Sequence, residues 1–321
     1  MAMPKLFIPQ TALKRWFDII FQLDDHFNMN SKIYLSTLLS ISISLACTAQ
    51  IVAPGAQLQL VSDQFSFTEG PAADAAGNVF FTDQPNNRIW KYDTNGKLSI
   101  FMEPAGRANG LYFDQEGYLI ACADEQYELW RIDMDKQVQK LAVNYKDSLF
   151  NGPNDVWVSP SSGAIYFTDP YYQRDYWERT SPDMQDRALY VYRDGQVTRL
   201  DSQFKQPNGI IGTPDGKLLY VADIGDRKIY RYTIQADGTL ADKQLFASQG
   251  SDGMTIDDKG NIYLTGKGID VYNPAGQKIE HIDIPANWTA NVCFGGTDRN
   301  LLFITASEKA FTLKMAVKEG R

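Results

Sequence analysis

Beyond about residue 50, the chain is a succession of short apolar runs that alternate with turn signals. The runs are rich in Val, Ile, Tyr and Phe, and pairs such as Asp-Gly, Glu-Gly and Asn-Gly separate them. This pattern is typical of β-strands joined by tight turns. No long stretch has the spacing of an amphipathic helix, so we predict an all-β domain.

The runs group into six similar units with a repeat length of about 40 to 54 residues, the size of one four-stranded propeller blade. The segment Gln57–Ser62 precedes the first unit and has the pattern of a lone strand. We therefore predict a six-bladed β-propeller in which this strand completes the last blade. Such closure of the ring removes exposed sheet edges.

Each unit opens with a carboxylate or an amide side chain at the start of its innermost predicted strand. These six ring positions are Glu69, Asn109, Asn154, Asn208, Asp252 and Asn291. Asp and Asn are depleted in strands, so strand propensity does not account for the repeat. The innermost strands of a propeller line its central channel, and the six side chains are therefore predicted to converge near the axis.

A ring of carboxylate and amide oxygens suits a hard divalent cation, above all Ca²⁺, which takes about six to eight oxygen ligands. Two acids in the ring leave the charge of the cation about neutralised, so water or substrate can fill the remaining positions. The alternative interpretation is that Asn-Gly and Asp-Gly are turn dipeptides. That alternative explains Glu69 poorly, because Glu is a weak turn former.

Composition and charge exclude other classes of function. The formal net charge is −8, which argues against a nucleic-acid partner. His26 and His281 are the two histidines of the sequence, so a histidine-rich metal site is excluded, and His281 is predicted to lie on the surface of blade five. Cys122 and Cys293 lie within apolar strand patterns, where a free cysteine usually acts as a small hydrophobic residue.

Residues 1–50 differ from the rest of the chain and are predicted to be a leader. The uncharged apolar run Ile33–Ala46 is too short to span a membrane but has the character of a signal-peptide core. Met29 is the expected start of this signal, and the residues before it are an upstream extension. Cleavage near Ala49–Gln50 and a lipid anchor at Cys47 both remain open. Either route exports the propeller domain, residues 51–321, to the periplasm or the medium.

Six short strings along the chain carry a family resemblance. They are Thr68-Glu69-Gly70-Pro71, Arg107-Ala108-Asn109-Gly110-Leu111, Gly152-Pro153-Asn154-Asp155-Val156, Tyr166-Phe167-Thr168-Asp169-Pro170, Gln206-Pro207-Asn208-Gly209 and Ser251-Asp252-Gly253-Met254. In this order and spacing they resemble the SMP-30/gluconolactonase/LRE-like family, and its bacterial gluconolactonases most of all. The resemblance covers about residues 60–315.

The resemblance implies a propeller that holds one metal ion and hydrolyses a sugar lactone. The metal ligands of the family carry over to Glu69, Asn154, Asn208 and Asp252. Ca²⁺ is the expected ion, with Zn²⁺, Mn²⁺ or Mg²⁺ as alternatives. Asp252 is also the expected catalytic base, which orients or deprotonates the attacking water.

The expected substrate contacts are Asn109, Asn154 and Tyr172. Asn291 occupies an equivalent ring position and is a further candidate. Tyr172 belongs to an insertion in the third unit, Tyr171–Asp186, in which Tyr171 and Trp177 are also candidates for a wall that stacks against sugar. Arg107 precedes the second ring position and is expected mainly on the surface.

Two features depart from the family pattern and bear on the substrate. Bacterial gluconolactonases often carry Glu-His after the second strand of blade two, where this chain has Asp124-Glu125-Gln126. The second departure is the Tyr171–Asp186 insertion. Both are predicted to border the mouth of the channel.

A further set of acids is kept out of the predicted site. These residues recur at the ends of second strands and are predicted to make structural turn bonds: Asp83, Asp124, Asp169 and Asp223.

Two other functions remain open at this stage. One is a hydrolase of phosphotriesters or non-sugar lactones on the same site. The other is a non-catalytic propeller that binds glycans or proteins, with Ca²⁺ as a structural pin. A ring in which Asn109 and Asn291 also bind the ion would favour the structural pin.

Overall fold

The computed structural model describes residues 50–320. The predicted leader falls on residues 1–49, outside the described residues, apart from Gln50. Residues 50–320 form six four-stranded antiparallel sheets, one for each predicted unit, and contain a single short 3₁₀ helix. The six-bladed, all-β architecture predicted from the sequence is confirmed.

The first strand and the first three blades follow in chain order. Strand β1 (Gln59–Ser62) precedes the first blade. Blade one consists of β2 (Thr68–Ala73), β3 (Val79–Asp83), β4 (Arg88–Tyr92) and β5 (Leu98–Met102), with the 3₁₀ helix Gln84–Asn86 between β3 and β4. Blade two consists of β6 (Ala108–Phe113), β7 (Leu119–Ala123), β8 (Glu128–Ile132) and β9 (Val138–Ala142). Blade three consists of β10 (Val156–Val158), β11 (Ile165–Asp169), β12 (Ala188–Arg193) and β13 (Gln196–Asp201).

The remaining blades repeat the arrangement. Blade four consists of β14 (Pro207–Gly212), β15 (Leu218–Asp223), β16 (Lys228–Ile234) and β17 (Leu240–Ala247). Blade five consists of β18 (Met254–Ile256), β19 (Ile262–Gly266), β20 (Gly268–Tyr272) and β21 (Lys278–Ile282). Blade six contains β22 (Asn291–Gly295), β23 (Leu301–Ala306) and β24 (Lys309–Lys314).

Blade six takes its outer strand from the other end of the described chain. Strand β1 pairs antiparallel with β24, with Gln59 opposite Thr312. An isolated bridge between Val52 and Met315 continues this contact. The observed strand begins at Gln59 rather than at Gln57, and it gives the sheet of blade six its fourth strand.

Aspartate side chains build the hairpin turns within the blades. Oδ1 of Asp93 accepts hydrogen bonds from the backbone N–H groups of Asn95 and Lys97, each at 2.9 Å. Gly96 lies in this turn at φ 82°, a conformation that costs glycine little. The same pattern recurs at Asp114 in blade two. These local bonds explain why acid-glycine pairs mark the strand boundaries in the sequence.

The core lies between neighbouring blades. Phe80 of blade one packs edge-on against Phe113 of blade two, with ring centroids 5.2 Å apart. Phe81, the next residue of the same strand, faces Phe303 of blade six at 5.1 Å. Because successive side chains of a strand point to opposite faces, β3 supplies both interfaces.

The first strand of each blade positions the ring residues, and the pairing is irregular at these points. In blades one, two and four the register with the second strand shifts around the ring positions Glu69, Asn109 and Asn208. Asn154 and Asp252 lie just before β10 and β18, so the prediction that every ring residue starts a strand is corrected at these two. Such irregularities re-aim side chains, which is why they are common next to active sites.

His281 and the described cysteines lie where the sequence predicts. His281 is exposed on β21, the outer strand of blade five. Cys122 lies within β7 and Cys293 within β22, and both thiols are free. No helix among residues 50–320 is long and apolar enough to cross a membrane.

Candidate active site

The glycine that follows the ring position in blades one, two, four and five brings neighbouring blades into close contact. A Cβ atom on Gly70 would lie 2.1 Å from the backbone oxygen of Asn109. A Cβ atom on Gly209 would lie 2.5 Å from the backbone oxygen of Asp252. Only glycine permits this spacing, and Gly70 and Gly209 lie inside strands β2 and β14. The alternative interpretation as a turn dipeptide is therefore wrong for Asn208-Gly209, whereas Asp252-Gly253 lies in a bend just before β18.

Glu69 and Asp252 are the two carboxylates of the ring. Glu69 is 7% exposed, and its Oε2 accepts a hydrogen bond from the N–H of Gly70 at 3.0 Å. Burial and the negative charge of Asp252 raise the pKa of Glu69 well above its ordinary value. Burial raises the pKa of Asp252 to about 6, although hydrogen bonds from Trp288 and Asn208 oppose the rise. The two acids therefore share one desolvated region of the channel.

Trp288 is a site residue that the sequence analysis missed. Its Nε1 donates a hydrogen bond of 2.6 Å to Oδ2 of Asp252. The residue precedes blade six, and its own backbone N–H donates to Oγ of Ser307 at 3.1 Å. No repeat or motif marks the position, so the sequence offers no signal that would have found it.

Tyr172 lies against the predicted ligand Asn208. The side-chain Nδ2 of Asn208 donates to Oη of Tyr172 at 3.0 Å. Burial raises the pKa of the Tyr172 phenol to about 12, and the charges of Asp252 and Glu69 add to that rise. The structure therefore places Tyr172 at the ring, and the bond leaves Oδ1 of Asn208 as the amide atom that a cation would use.

Asn154 and Asn109 are buried at neighbouring ring positions. The backbone N–H of Asn154 donates to the carbonyl of Thr168, and its carbonyl accepts from Gly110, both at 2.8 Å. The carbonyl of Asn109 accepts a hydrogen bond of 3.0 Å from Oγ1 of Thr82. Within residues 50–320 neither side-chain amide has a hydrogen-bond partner. The backbones are thus fixed, and the amides are available to a ligand.

Asn291 forms a hydrogen bond with a third acid, Asp155, which the sequence analysis also missed. Nδ2 of Asn291 donates to Oδ2 of Asp155 at 3.3 Å, and Oδ1 of Asn291 accepts from the N–H of Val292 at 2.8 Å. Burial raises the pKa of Asp155 to about 7. Asp155 follows a ring position at which blades one, two, four and five have glycine, and that exception was the available signal.

The insertion Tyr171–Asp186 packs over blade two and reaches the ring. Trp177 is 7% exposed, and its Nε1 donates to the carbonyl of Asp124 at 3.0 Å. Its predicted role as a wall that stacks on sugar is wrong, because the indole is packed inside the insertion. Arg107 bonds the carbonyl of Pro85 and pairs with Glu125, so it holds the loops of blades one and two together.

The carboxylates of the ring provide a test of the predicted cation. Neither Glu69 nor Asp252 forms an ion pair with a lysine or arginine of residues 50–320. Buried charges in proteins are normally paired or coordinate a metal ion. No group of three His, Cys, Asp or Glu side chains in the described part of the chain is arranged to hold a metal. The donor set fits a hard cation only when the amide oxygens of Asn154 and Asn208 take part.

Comparison with known proteins identifies the family. The sequence model of the SMP-30/Gluconolactonase/LRE-like region matches residues 67–308. The chain belongs to this family. The resemblance inferred from the six strings is confirmed.

Similar family members include bacterial gluconolactonases. A gluconolactonase of Zymomonas mobilis is 27% identical, over 80% of this chain and 81% of its own length. The structure of a gluconolactonase of Xanthomonas campestris superposes with a TM-score of 0.78 at 28% identity and covers 84% of this chain and 93% of that chain. A diisopropyl-fluorophosphatase of Loligo vulgaris is 23% identical, over 77% of this chain and 88% of its own.

Proposed function

We propose that the protein is a divalent-cation-dependent lactonase that opens sugar lactones. The supporting observation is the pair of desolvated carboxylates, Glu69 and Asp252, beside amides that have no partner in the described chain. The similar gluconolactonases of the family support the same class of substrate. Ca²⁺ is the proposed ion, held by Glu69, Asn154, Asn208 and Asp252, because all donors are oxygens.

The protein's own residues prepare the attacking water and the lactone. A cation bound at the ring would stabilise the negative charge that develops on the lactone carbonyl oxygen. Trp288 holds Oδ2 of Asp252, so Oδ1 is the atom that accepts a proton from the water. The water oxygen forms a bond to the carbonyl carbon of the lactone. The C–O bond within the lactone ring breaks, and the proton held by Asp252 passes to the leaving oxygen of the lactone ring. The product is a hydroxy acid.

Asn291 supports a catalytic role over a structural pin. Its amide is occupied by Asp155 and by its own backbone neighbour, so it is not a sixth ligand of the ring. The ring therefore keeps coordination positions for water and substrate. Asn109, Asn154 and Tyr172 border these positions and are the proposed substrate contacts.

Metal-stripped protein provides the test. Acid release from glucono-1,5-lactone is followed as Ca²⁺, Zn²⁺, Mn²⁺ or Mg²⁺ is restored. The variants Glu69→Gln and Asp252→Asn are measured in parallel. Asp283→Asn is the matched control, because Asp283 is fully exposed. Metal-dependent hydrolysis that both site variants lose and the control keeps supports the proposal. A melting temperature that rises with metal, without hydrolysis above the spontaneous rate, would identify a structural pin instead.

We also propose that the domain acts outside the cytoplasm, on the basis of the apolar run Ile33–Ala46. Cell fractionation and the mass of the mature N-terminus test this. A Cys47→Ala variant that moves from the membrane fraction to the soluble fraction would identify the lipid anchor, and an unchanged soluble product would identify simple cleavage.

A further inference from the structure

Asp124 differs from the other acids at the ends of second strands. Asp169 accepts hydrogen bonds from the backbone N–H groups of Asn151 and Gly152 at 2.9 and 2.8 Å. Asp83 and Asp223 bond two backbone amides in the same way. The predicted structural role is confirmed at these three. At Asp124 it is wrong, because the carboxylate accepts no backbone amide of residues 50–320.

In blade two, Asn87 makes the structural hydrogen bonds that an aspartate makes in blades one, three and four. Its Oδ1 accepts hydrogen bonds from the N–H groups of Ala105 and Arg107 at 2.8 and 2.7 Å. These are the amides that precede the ring position of this blade. Because Asn87 bonds these amides, the Asp124 carboxylate can bond other groups, although its side chain is only 3% exposed.

The released carboxylate anchors the insertion. Oδ2 of Asp124 pairs with Nε of Arg174 at 3.1 Å and accepts hydrogen bonds from the Tyr176 hydroxyl and, at 3.3 Å, from Nε2 of Gln84. Its backbone carbonyl accepts from the indole of Trp177. Asp124 is thus the point at which three side chains of the insertion meet blade two.

Arg179 holds the insertion at its other side. The guanidinium of Arg179 donates to the carbonyls of Phe150 and Asn151. It also lies over the rings of Tyr127 and Trp177, with its Cζ 3.5 and 4.3 Å from the centroids. The insertion is therefore held against blades two and three by the specific contacts of Asp124 and Arg179. These contacts fix the path of its backbone.

Arg174 lies between Asp124 and the ring. Its Cζ is 5.5 Å from the ring centroid of Tyr172, which itself bonds the proposed ligand Asn208. Its charge reaches both Glu69 and Asp252 and lowers the pKa of each. Only Nε is used by Asp124. The two terminal nitrogens have no hydrogen-bond partner in residues 50–320, and the side chain is 24% exposed.

We propose that Arg174 is a specificity-determining residue that donates hydrogen bonds to the hydroxyl groups of a polyhydroxylated lactone, and that Asp124 is the positioning residue that holds it. This rests on the proposed lactonase function and deepens it by naming the substrate feature that the site reads. A guanidinium donates from a planar, fixed fork, which suits adjacent oxygen atoms. A site built to bond hydroxyl groups discriminates strongly against analogues that lack them.

The test compares two lactones that differ in hydroxyl groups. The kcat and KM of the Ca²⁺-loaded full chain are measured with glucono-1,5-lactone and with δ-valerolactone, which has no hydroxyl groups. Arg174→Gln is expected to raise the KM for gluconolactone and to lower kcat/KM by about 10- to 100-fold, the range of a charged hydrogen bond. Its kcat/KM for δ-valerolactone, measured at pH 8, where Asp252 is ionised, is expected to stay within about twofold. Arg174→Lys, which keeps the charge but not the fork, is expected to recover part of the loss.

Asp124→Asn tests the positioning role. It keeps an acceptor oxygen but loses the charge that fixes Arg174, and we expect about a tenfold rise in the KM for gluconolactone alone. Arg187→Gln is the matched control, because this exposed arginine directly after the insertion bonds the carbonyl of Lys205 and has no other hydrogen-bond partner in the described part of the chain. If Asp124→Asn does not fold, the two Arg174 variants still decide the specificity role.

Three results would overturn the inference. Equal losses of kcat/KM on both lactones would show that Arg174 acts through the structure. No loss on gluconolactone would show that it does not touch substrate. A wild-type protein that opens δ-valerolactone faster than gluconolactone would reverse the selectivity. By contrast, a wild-type protein that opens neither lactone would overturn the proposed function itself.

Discussion

The indole nitrogen of Trp288 donates a 2.6 Å hydrogen bond to Oδ2 of Asp252. The bond ties the loop before blade six to the ring residue of blade five. It stabilises the charged carboxylate, because the indole lowers the pKa of Asp252 against the rise caused by burial. Through this contact the two oxygens of Asp252 become inequivalent, and Oδ1 is the atom to which we assign the proposed role of base.

Replacing Trp288 with Phe is therefore expected to weaken the catalytic base. Without the indole donor the pKa of Asp252 rises further above 6, so the acidic limb of the pH–rate profile moves to higher pH. We expect kcat to fall about tenfold at a pH well below the pKa of Asp252, since one unit of pKa is there a tenfold change in the charged fraction. Trp90→Phe is the control, because Nε1 of Trp90 has no hydrogen-bond partner within residues 50–320. An unmoved pH profile would contradict the assigned role of the indole.

The bond between Asn208 and Tyr172 is expected to support cation binding. A Tyr172→Phe variant removes the acceptor of Nδ2 and frees the Asn208 amide to rotate away from the ring. Partners that orient metal ligands contribute about 10- to 100-fold to metal affinity or activity. We expect the Kd for Ca²⁺, measured by calorimetry, to rise about tenfold. Tyr118→Phe, on blade two, is the control, and an equal change in both variants would refute the orientation role.

The stability of the cation-free protein is expected to fall as pH rises from about 4 to 7. Burial raises the pKa values of Asp155 and Asp169 to about 7 and that of Asp252 to about 6. The folded protein therefore keeps these protons to higher pH than the unfolded chain, and deprotonation costs stability across that window. Each unit of raised pKa corresponds to about 1.4 kcal/mol.

Melting temperatures between pH 4 and 8, in chelator and in Ca²⁺, measure this effect. Ca²⁺ is expected to flatten the fall, because it pairs with the charged form of Asp252. Asp169→Asn, away from the ring, is expected to flatten it in chelator as well, since it removes one of the raised pKa values. Stability that increases through this window in chelator would contradict the assignment.

Gly253 is expected to tolerate no side chain. A Cβ atom there would lie 1.9 Å from Cγ of Asn291. Gly253→Ala should therefore displace Asn291 from Asp155, with a loss of about 3 kcal/mol in the free energy of unfolding. The control is Gly195→Ala, where φ is 78° but no atom lies within 4 Å, and about 1 kcal/mol is expected. Equal losses in denaturant unfolding would contradict the importance of the contact with Asn291, because Gly253 itself is not at a positive φ.

Repetition is what made the fold readable from the sequence. Six units with the same turn chemistry predict six blades, and the ring positions stand out because strands disfavour Asn and Asp. The family strings then predict the ligand set. Where the repeat changes, a signal is still present: Asp155 stands where blades one, two, four and five have glycine, and its significance was overlooked.

The sequence alone was misleading where one residue takes the place of another. Asp124 looks like Asp83, Asp169 and Asp223, and nothing local shows that Asn87 has taken over its backbone amides. Trp177 looks like a candidate for sugar stacking, but its indole is packed inside the insertion. The roles of these residues depend on which groups from distant segments compete for the same hydrogen-bond acceptor. A local sequence pattern does not encode that competition.

The sequence by itself therefore determined the blade count, the ring of oxygen donors and the family, because each depends on short patterns that recur in register. Only the tertiary structure decided that Trp288 reaches Asp252, that Asn291 is occupied by Asp155, and that Asp124 carries the insertion. These contacts join residues 36, 136 and 50 positions apart. They form because the closed ring of blades brings those segments together around one axis, and no local preference of the chain specifies them.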